Sequence, residues 1–208
     1  MKTSIKGLVI FALAVVLLSP ASNVLAAEVY KFSGYSASAY FYATDSTGCI
    51  VTGGTVFVFE NISHSPQGPG TSSEDVLIDF FQYDQCTNTT LLSASNSAPA
   101  ENVDFHVDGD LDSATLTAIV PMFDNVTGTA FDFTVNLSWT GTSARDHQSS
   151  HYKVNFQGCH VNLKNDSSFR YAEAAGTITD GTTNFTPLPS SQGTIFLAKG
   201  GEISHGCG

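Results

Sequence analysis

The acidic residues Asp104, Asp108, Asp110 and Asp112 are the best set of hard oxygen donors in the chain. Donors so spaced can wrap Ca²⁺ when a loop folds around them. Asp108-x-Asp110-x-Asp112 opens as an EF-hand loop opens, then departs from it. Ser113 stands where the turn glycine belongs, and Ile119 where the closing bidentate glutamate belongs. Asp108-Gly109 between two β-patterned runs is itself a hairpin signal. Solvated carboxylates on a tight turn are therefore the preferred reading, with Asp108, Asp110 and Asp112 kept as metal candidates.

The histidines are His64, His106, His147, His151, His160 and His205. His147 and His151 have the i, i+4 spacing that makes a transition-metal pair on a helix. Here they sit in Arg-Asp-His-Gln-Ser-Ser-His, a loop entering a strand, and no Glu follows His147. They stay as weak transition-metal candidates, and no cofactor is expected. His160 and His205 flank cysteines, and a bridge between those cysteines would draw the two imidazoles together.

No G-x-S-x-G elbow is present. A glycosidase needs two carboxylates across a cleft. Asp79, Asp132 and Glu173 lie in β-patterned segments, where such residues usually face water. The aromatic surplus points elsewhere. Tyr30, Phe32, Tyr35, Tyr40, Tyr42, Tyr83, Trp139, Tyr152 and Tyr171 are of a type that stacks on sugar faces, although aromatic rings in β proteins mostly serve packing. Trp139 shares a face with four other apolar residues and reads as core. Tyr40 and Tyr42 oppose an Ala/Phe face and read as outward.

The elements that must position these residues are strands. Period-two alternation recurs along the chain and sustained helical periodicity does not. Gly34–Ala43 sets Tyr35, Ala37, Ala39 and Phe41 against Ser36, Ser38, Tyr40 and Tyr42. Runs of the same kind occur at Thr55–Phe59, Val76–Tyr83, Val103–Val107, Ala114–Val120, Phe131–Trp139, Tyr152–Phe156, Phe169–Ala175 and Thr194–Ala198. The one helix candidate, Tyr171–Ala175, is too short and too close to Gly176. The expectation is an all-β fold, an antiparallel β-sandwich or jelly-roll of about ten strands. Long loops are expected over Asn61–Glu74, Ser93–Ala100 and Thr140–Ser150, and no internal repeat is evident.

The first 26 residues follow the plan of a secretory signal peptide: Lys2 and Lys6, the apolar run Leu8–Leu18, then Val24-Leu25-Ala26 before a cleavage point. Eleven apolar residues cover only about half of a ~30 Å hydrocarbon core, so no membrane span is expected. Residues 27–208 then form one secreted, extracellular domain. Six basic residues against nineteen acidic ones give it a net charge of −13. Such a surface repels phosphate backbones and anionic lipid, which argues against nucleic-acid partners.

Cys49, Cys86, Cys159 and Cys207 are even in number and, after export, meet an oxidising compartment. Three pairings are possible. Cys49–Cys86 and Cys159–Cys207, the nearest couples in sequence, are favoured. Six N-x-S/T sequons occur, at Asn61, Asn88, Asn125, Asn136, Asn165 and Asn184. Asn136 lies inside a β-patterned run, a poor acceptor position.

The stretch LDSATLTAIVPMFDNVTGTAFDFTVNLSWTGT, residues 111–142, and the later AGTITDGTTNFTP resemble a set of secreted bacterial proteins with no assigned function. The resemblance covers the half of the chain after Glu101 and carries no catalytic motif. It implies a bacterial source and unmodified sequons. The leading expectation is a non-enzymatic extracellular protein in a binding or structural role, with a carbohydrate or cell-surface partner. The alternatives are a secreted polysaccharide-acting hydrolase and a calcium-stabilised adhesion module.

Overall fold

The computed structural model describes residues 28–64, 68–156, 159–181, 184–185 and 192–205. The expected signal segment and Cys207 lie outside them. Eleven strands follow in order: β1 (Glu28–Thr44), β2 (Ile50–His64), β3 (Thr71–Asp84), β4 (Thr89–Asn96), β5 (Glu101–Val107), β6 (Ser113–Asp124), β7 (Thr129–Gly141), β8 (Asp146–Phe156), β9 (Cys159–Thr179), β10 (Asn184–Phe185) and β11 (Gln192–His205). All pairings are antiparallel, and no helix occurs among the described residues. The expected all-β antiparallel class holds, and Tyr171–Ala175 is strand.

The sheet closes on itself. β9 pairs with β11, β11 with β1, and pairing continues through β2, β3, β4, β6 and β7 back to β9. β5 shares the β4 edge of β6, while β8 shares the β7 edge of β9. The opposite walls of this barrel pack together as the layers of a sandwich do. Phe80 of β3 meets Phe133 of β7 edge-on at 5.2 Å between ring centroids. Alternation decides which side chains go inside: Ala37, Ala39 and Phe41 of β1 are buried, as are Phe133, Val135, Leu137 and Trp139 of β7. Leu111, at φ 61°, sits fully buried in the β5–β6 turn.

The strands run further than the alternation indicated. β2 reaches His64 and β3 begins at Thr71, inside the expected Asn61–Glu74 loop. β4 takes Ser93–Asn96 and β8 begins at Asp146, within the other two expected loops. β8 and the first half of β9 project beyond the barrel with β1 and β11. The Tyr152–Phe156 alternation lies in β8, yet both faces of that strand are exposed, so its apolar row of Tyr152, Val154 and Phe156 is turned to water.

The opposite barrel end carries three hairpin turns built on one device. Asp84 accepts hydrogen bonds from the Cys86 and Thr87 amides, with Asn88 at φ 57°. Asp124 accepts from the Val126 and Thr127 amides and the Thr127 hydroxyl, with Gly128 at φ 71°. The two segments align as aromatic-Asp-x-x-Thr-x-Thr, Tyr83–Thr89 and Phe123–Thr129, so a local repeat is present after all. Asp45 likewise takes the Thr47 hydroxyl and the Ile50 amide. The Cys49–Cys86 disulfide joins the first turn to the second, with Cα atoms 5.2 Å apart. Cys159 is also in a disulfide.

Candidate binding face

The outer surface of the barrel is divided. On β6 and β7 the outward positions are mostly polar, Thr115, Thr117, Asp132, Thr134, Asn136, Ser138 and Thr140, with Ile119, Pro121 and Phe123 as apolar exceptions. On β1, β2, β3 and β9 they include several exposed aromatics: Tyr40 and Tyr42, Phe57, Phe81 and Tyr171 are each exposed by 42% or more. Burying such rings on folding would remove them from water at roughly 25 cal/mol per Å². Their concentration on one side therefore marks a surface suited to a partner.

Within this side a trough follows β1. Its floor is Gly34, Ser36 and Ser38, the small outward positions of the GYSASAY run. Register sets Phe59 of β2 and Phe196 of β11 on either side of Ser36, and Phe57 and Thr194 on either side of Ser38. Phe57 and Phe59 stack obliquely, 5.8 Å apart. Phe32 closes one end, and Asn61 supplies an amide to the lining. The trough is shallow and open to solvent, with about 360 Å³ of space above its floor. Gly34 is obligatory at its floor, since a Cβ there would collide with the Glu60 carbonyl. The Ser38 hydroxyl is hydrogen-bonded to Thr194 at 2.9 Å, which ties the floor to β11.

Beyond Tyr40, the same face continues as Tyr42 and Phe81 on either side of Gly53. A Cβ at Gly53 would lie 2.6 Å from the Phe81 ring, so the ring lies across the glycine. Trp139 is inside, 1% exposed, as its strand pattern required. Tyr40 and Tyr42 are outside, also as read. The trough itself was not legible, because its walls come from three strands distant in sequence.

The acidic candidates occupy the β5–β6 turn. Asp108 accepts the Asp110 amide, and the turn closes as a hairpin through Asp108 N to Ser113 O at 2.9 Å. Asp112 is ion-paired with Arg170, and Asp110 lies 3.9 Å from Arg145. Two of the three carboxylates are thus turned toward guanidinium groups. His147 Nδ1 is 3.1 Å from the Ser168 hydroxyl, and His151 lies farther along β8, opposite Lys164. On a strand the i, i+4 spacing leaves the two histidines on one face but far apart along it. His160 stands opposite His205 in the β9–β11 ladder, and its Nδ1 contacts Asn155 Oδ1 at 2.7 Å. Cys49, Asp84 and Cys86 cluster closely, but both sulfurs are spent in the disulfide.

Among the acids, the Thr47 hydroxyl and the Ile50 amide hold Asp45 below the usual carboxylate range. The Thr87 hydroxyl and amide do the same for Asp84. Burial pushes Asp124 up, but the Thr127 hydroxyl and the Val126, Ser93 and Thr127 amides together bring it down. Glu74 is raised, first by burial and then by Glu60, its cross-strand partner, and Asp104.

No family model matches the chain, and no curated protein matches it in sequence. A solved structure of an acetoacetate decarboxylase-like enzyme from Sphingomonas wittichii RW1 aligns with a TM-score of 0.32 at 9% identity. The alignment covers 91% of this chain and 95% of that one. A likeness this slight carries no argument about activity. No helix among the described residues is long and apolar enough to cross a membrane.

Proposed function

We propose that this chain is an exported, non-enzymatic binding protein whose β1 trough holds a neutral carbohydrate chain. The observation that carries the reading is the trough itself: a floor of glycine and serine between phenylalanine walls, with the Asn61 amide at its margin. Rings stack on the apolar faces of sugars, and amides and hydroxyls take the remaining hydrogen bonds. Apolar walls with a few placed polar groups are the usual make-up of a small-ligand site.

Binding is preferred to hydrolysis because Glu60, the one acidic residue along the trough, has its side chain on the opposite face with buried Val58 and meets the trough through its backbone, whereas glycoside hydrolysis needs two carboxylates flanking the scissile bond. A calcium-stabilised adhesion role loses its best ligands to Arg145 and Arg170. Export is supported by the signal-like first 26 residues, by the disulfides, and by the resemblance to secreted bacterial proteins.

The reading is tested by screening the purified protein against immobilised oligosaccharides of glucose, xylose, mannose and N-acetylglucosamine. At least one neutral series should be retained by the native protein and lost by Phe57→Ala. Retention of none, or equal retention by the variant, would sink it.

A further inference from the structure

The described residues contain four lysines and two arginines. The arginines are engaged with Asp110 and Asp112. All four lysines, Lys31, Lys153, Lys164 and Lys199, lie on one face of the projecting sheet formed by β1, β11, β9 and β8. The face is fixed by period two: Lys31 is on the side of buried Ala37, Lys199 on the side of buried Leu197 and Ile195, and Lys164 on the side of buried Ser168. Register carries the same side to β8, where Lys153 joins His151 and His147. This is the face that continues the barrel interior, opposite the aromatic trough.

One row of the ladder crosses five strands as His64, Lys31, Gly201, Lys164 and His151. With no side chain at Gly201, Lys31 and Lys164 face each other across two strand spacings, about 10 Å. Lys199 stands two residues from Gly201 along β11, and Lys153 two residues from His151 along β8. Lys31, Lys153, Lys164, Lys199, His64 and His151 are all exposed. The acids on this side are few. Asp166 is 3.5 Å from Lys164 and bonded to Ser149. Glu60 and Glu74 lie two rows nearer the barrel, on β2 and β3.

A chain with nineteen acidic residues has therefore gathered every lysine it keeps after residue 27 onto one face. We propose that this face binds a linear, negatively charged polysaccharide, whose acid groups lie along the row from His64 to His151. The row is straight and spans four strand spacings, roughly 19 Å, which suits a single extended chain. A duplex nucleic acid or an anionic bilayer presents a broader negative surface, which the acidic remainder of the molecule repels. Lysines act as point charges without the bidentate geometry of arginine, so the contact should be salt-sensitive. This inference is independent of the neutral-sugar reading, since the two ligands would use opposite faces.

The test is titration calorimetry of the full disulfide-bonded protein with oligogalacturonate, with its methyl ester as the uncharged control. Binding should be seen for the acid form, be weak for the ester, and fall as salt rises. Lys31→Glu with Lys164→Glu should weaken it by about tenfold or more, and Phe57→Ala should leave it unchanged. Lys31→Gln with Lys164→Gln repeats the test with polar side chains that remove the charge without reversing it, and far-UV circular dichroism checks that each variant is folded. Equal binding of acid and ester, no binding of the acid, or folded variants that bind as well as the native protein would overturn the proposal. So would tighter binding of a duplex DNA probe. Self-association in sedimentation that the double variant abolishes would assign the face to a second copy and overturn it too.

Discussion

The indole Nε1 of Trp139 donates a hydrogen bond to the carbonyl of Ser38 at 2.7 Å, across 101 residues of sequence. The β1–β11 ladder ends at Ser38↔Thr194, so the indole takes a carbonyl at the point where backbone pairing stops. Gly193 makes room for this, because a Cβ there would lie 2.5 Å from the Ser38 oxygen and 3.0 Å from the Trp139 ring. The same Ser38 holds Thr194 on the outer surface. One residue therefore joins the core to the trough floor.

Trp139→Phe keeps an aromatic ring but removes the donor and leaves volume unfilled. An unsatisfied buried carbonyl and a partial cavity together should cost about 2–4 kcal/mol. Urea unfolding checks this, with the m-value unchanged. Gly193→Ala should be destabilising as well, by the collision just described. A neutral result for both would mean that the indole contact is not needed.

Stability should fall in acid through the turn aspartates. Asp45, Asp84 and Asp124 each have a folded-state pKa below the ordinary value. Their contribution is present above about pH 4, the unfolded value, and is lost as pH falls through the folded values. Glu74 has the opposite sign, because its raised pKa favours the protonated folded state as pH falls. Net loss is expected, since Asp166, hydrogen-bonded to Ser149, is lowered as well and four groups oppose one. Urea midpoints measured from pH 6 down to pH 2.5 should decline, and Asp124→Asn should flatten the curve. A midpoint that rises on acidification would contradict the assignment.

Replacing Cys49 and Cys86 by serine opens a loop with a sequence separation of 37. The chain-entropy relation gives a loss of roughly 4 kcal/mol. For a chain of this size that is a fall in Tm of about 8–16 °C. Calorimetry under non-reducing conditions measures it, and a shift under about 2 °C would mean strain in the native bridge cancels the entropy.

The acidic turn should behave as a partner for arginine and not as a calcium loop. Asp112→Asn should cost about 1 kcal/mol whether or not calcium is present, because the lost contact is the Arg170 ion pair. EDTA in place of excess Ca²⁺ should leave the Tm unchanged within error. A drop of about 10 °C on chelation would instead require a tight ion site in this chain.

Much of the barrel was legible because one-sided burial writes itself into sequence. Phe133, Val135, Leu137 and Trp139 alternate with Asp132, Thr134, Asn136 and Ser138, and the structure buries the first set and exposes the second. The outward turn of Tyr40 and Tyr42 was readable for the same reason. The first half of β8, before Tyr152, and the first half of β9 were poorly legible, since strands wet on both faces carry no such constraint. The Asp-x-x-Thr-x-Thr turns escaped notice because only the polar scaffold repeats and the flanking residues differ. The two binding faces depend on register. Nothing in the sequence tells that Lys31 and Lys164 share a row, or that Phe59 and Phe196 flank Ser36.

A neutral sugar chain seated on the β1 trough would lie beside Ser38, whose carbonyl accepts from the indole of the single tryptophan, Trp139. Titrating the protein with the oligosaccharide series it retains best, while following Trp139 emission, measures the site most directly. We expect a saturable change, with Phe57→Ala and Phe196→Ala each weakening binding by about tenfold and Tyr152→Ala on β8 leaving it unaltered. Saturable binding that survives both phenylalanine substitutions and is lost with Tyr152→Ala would contradict it.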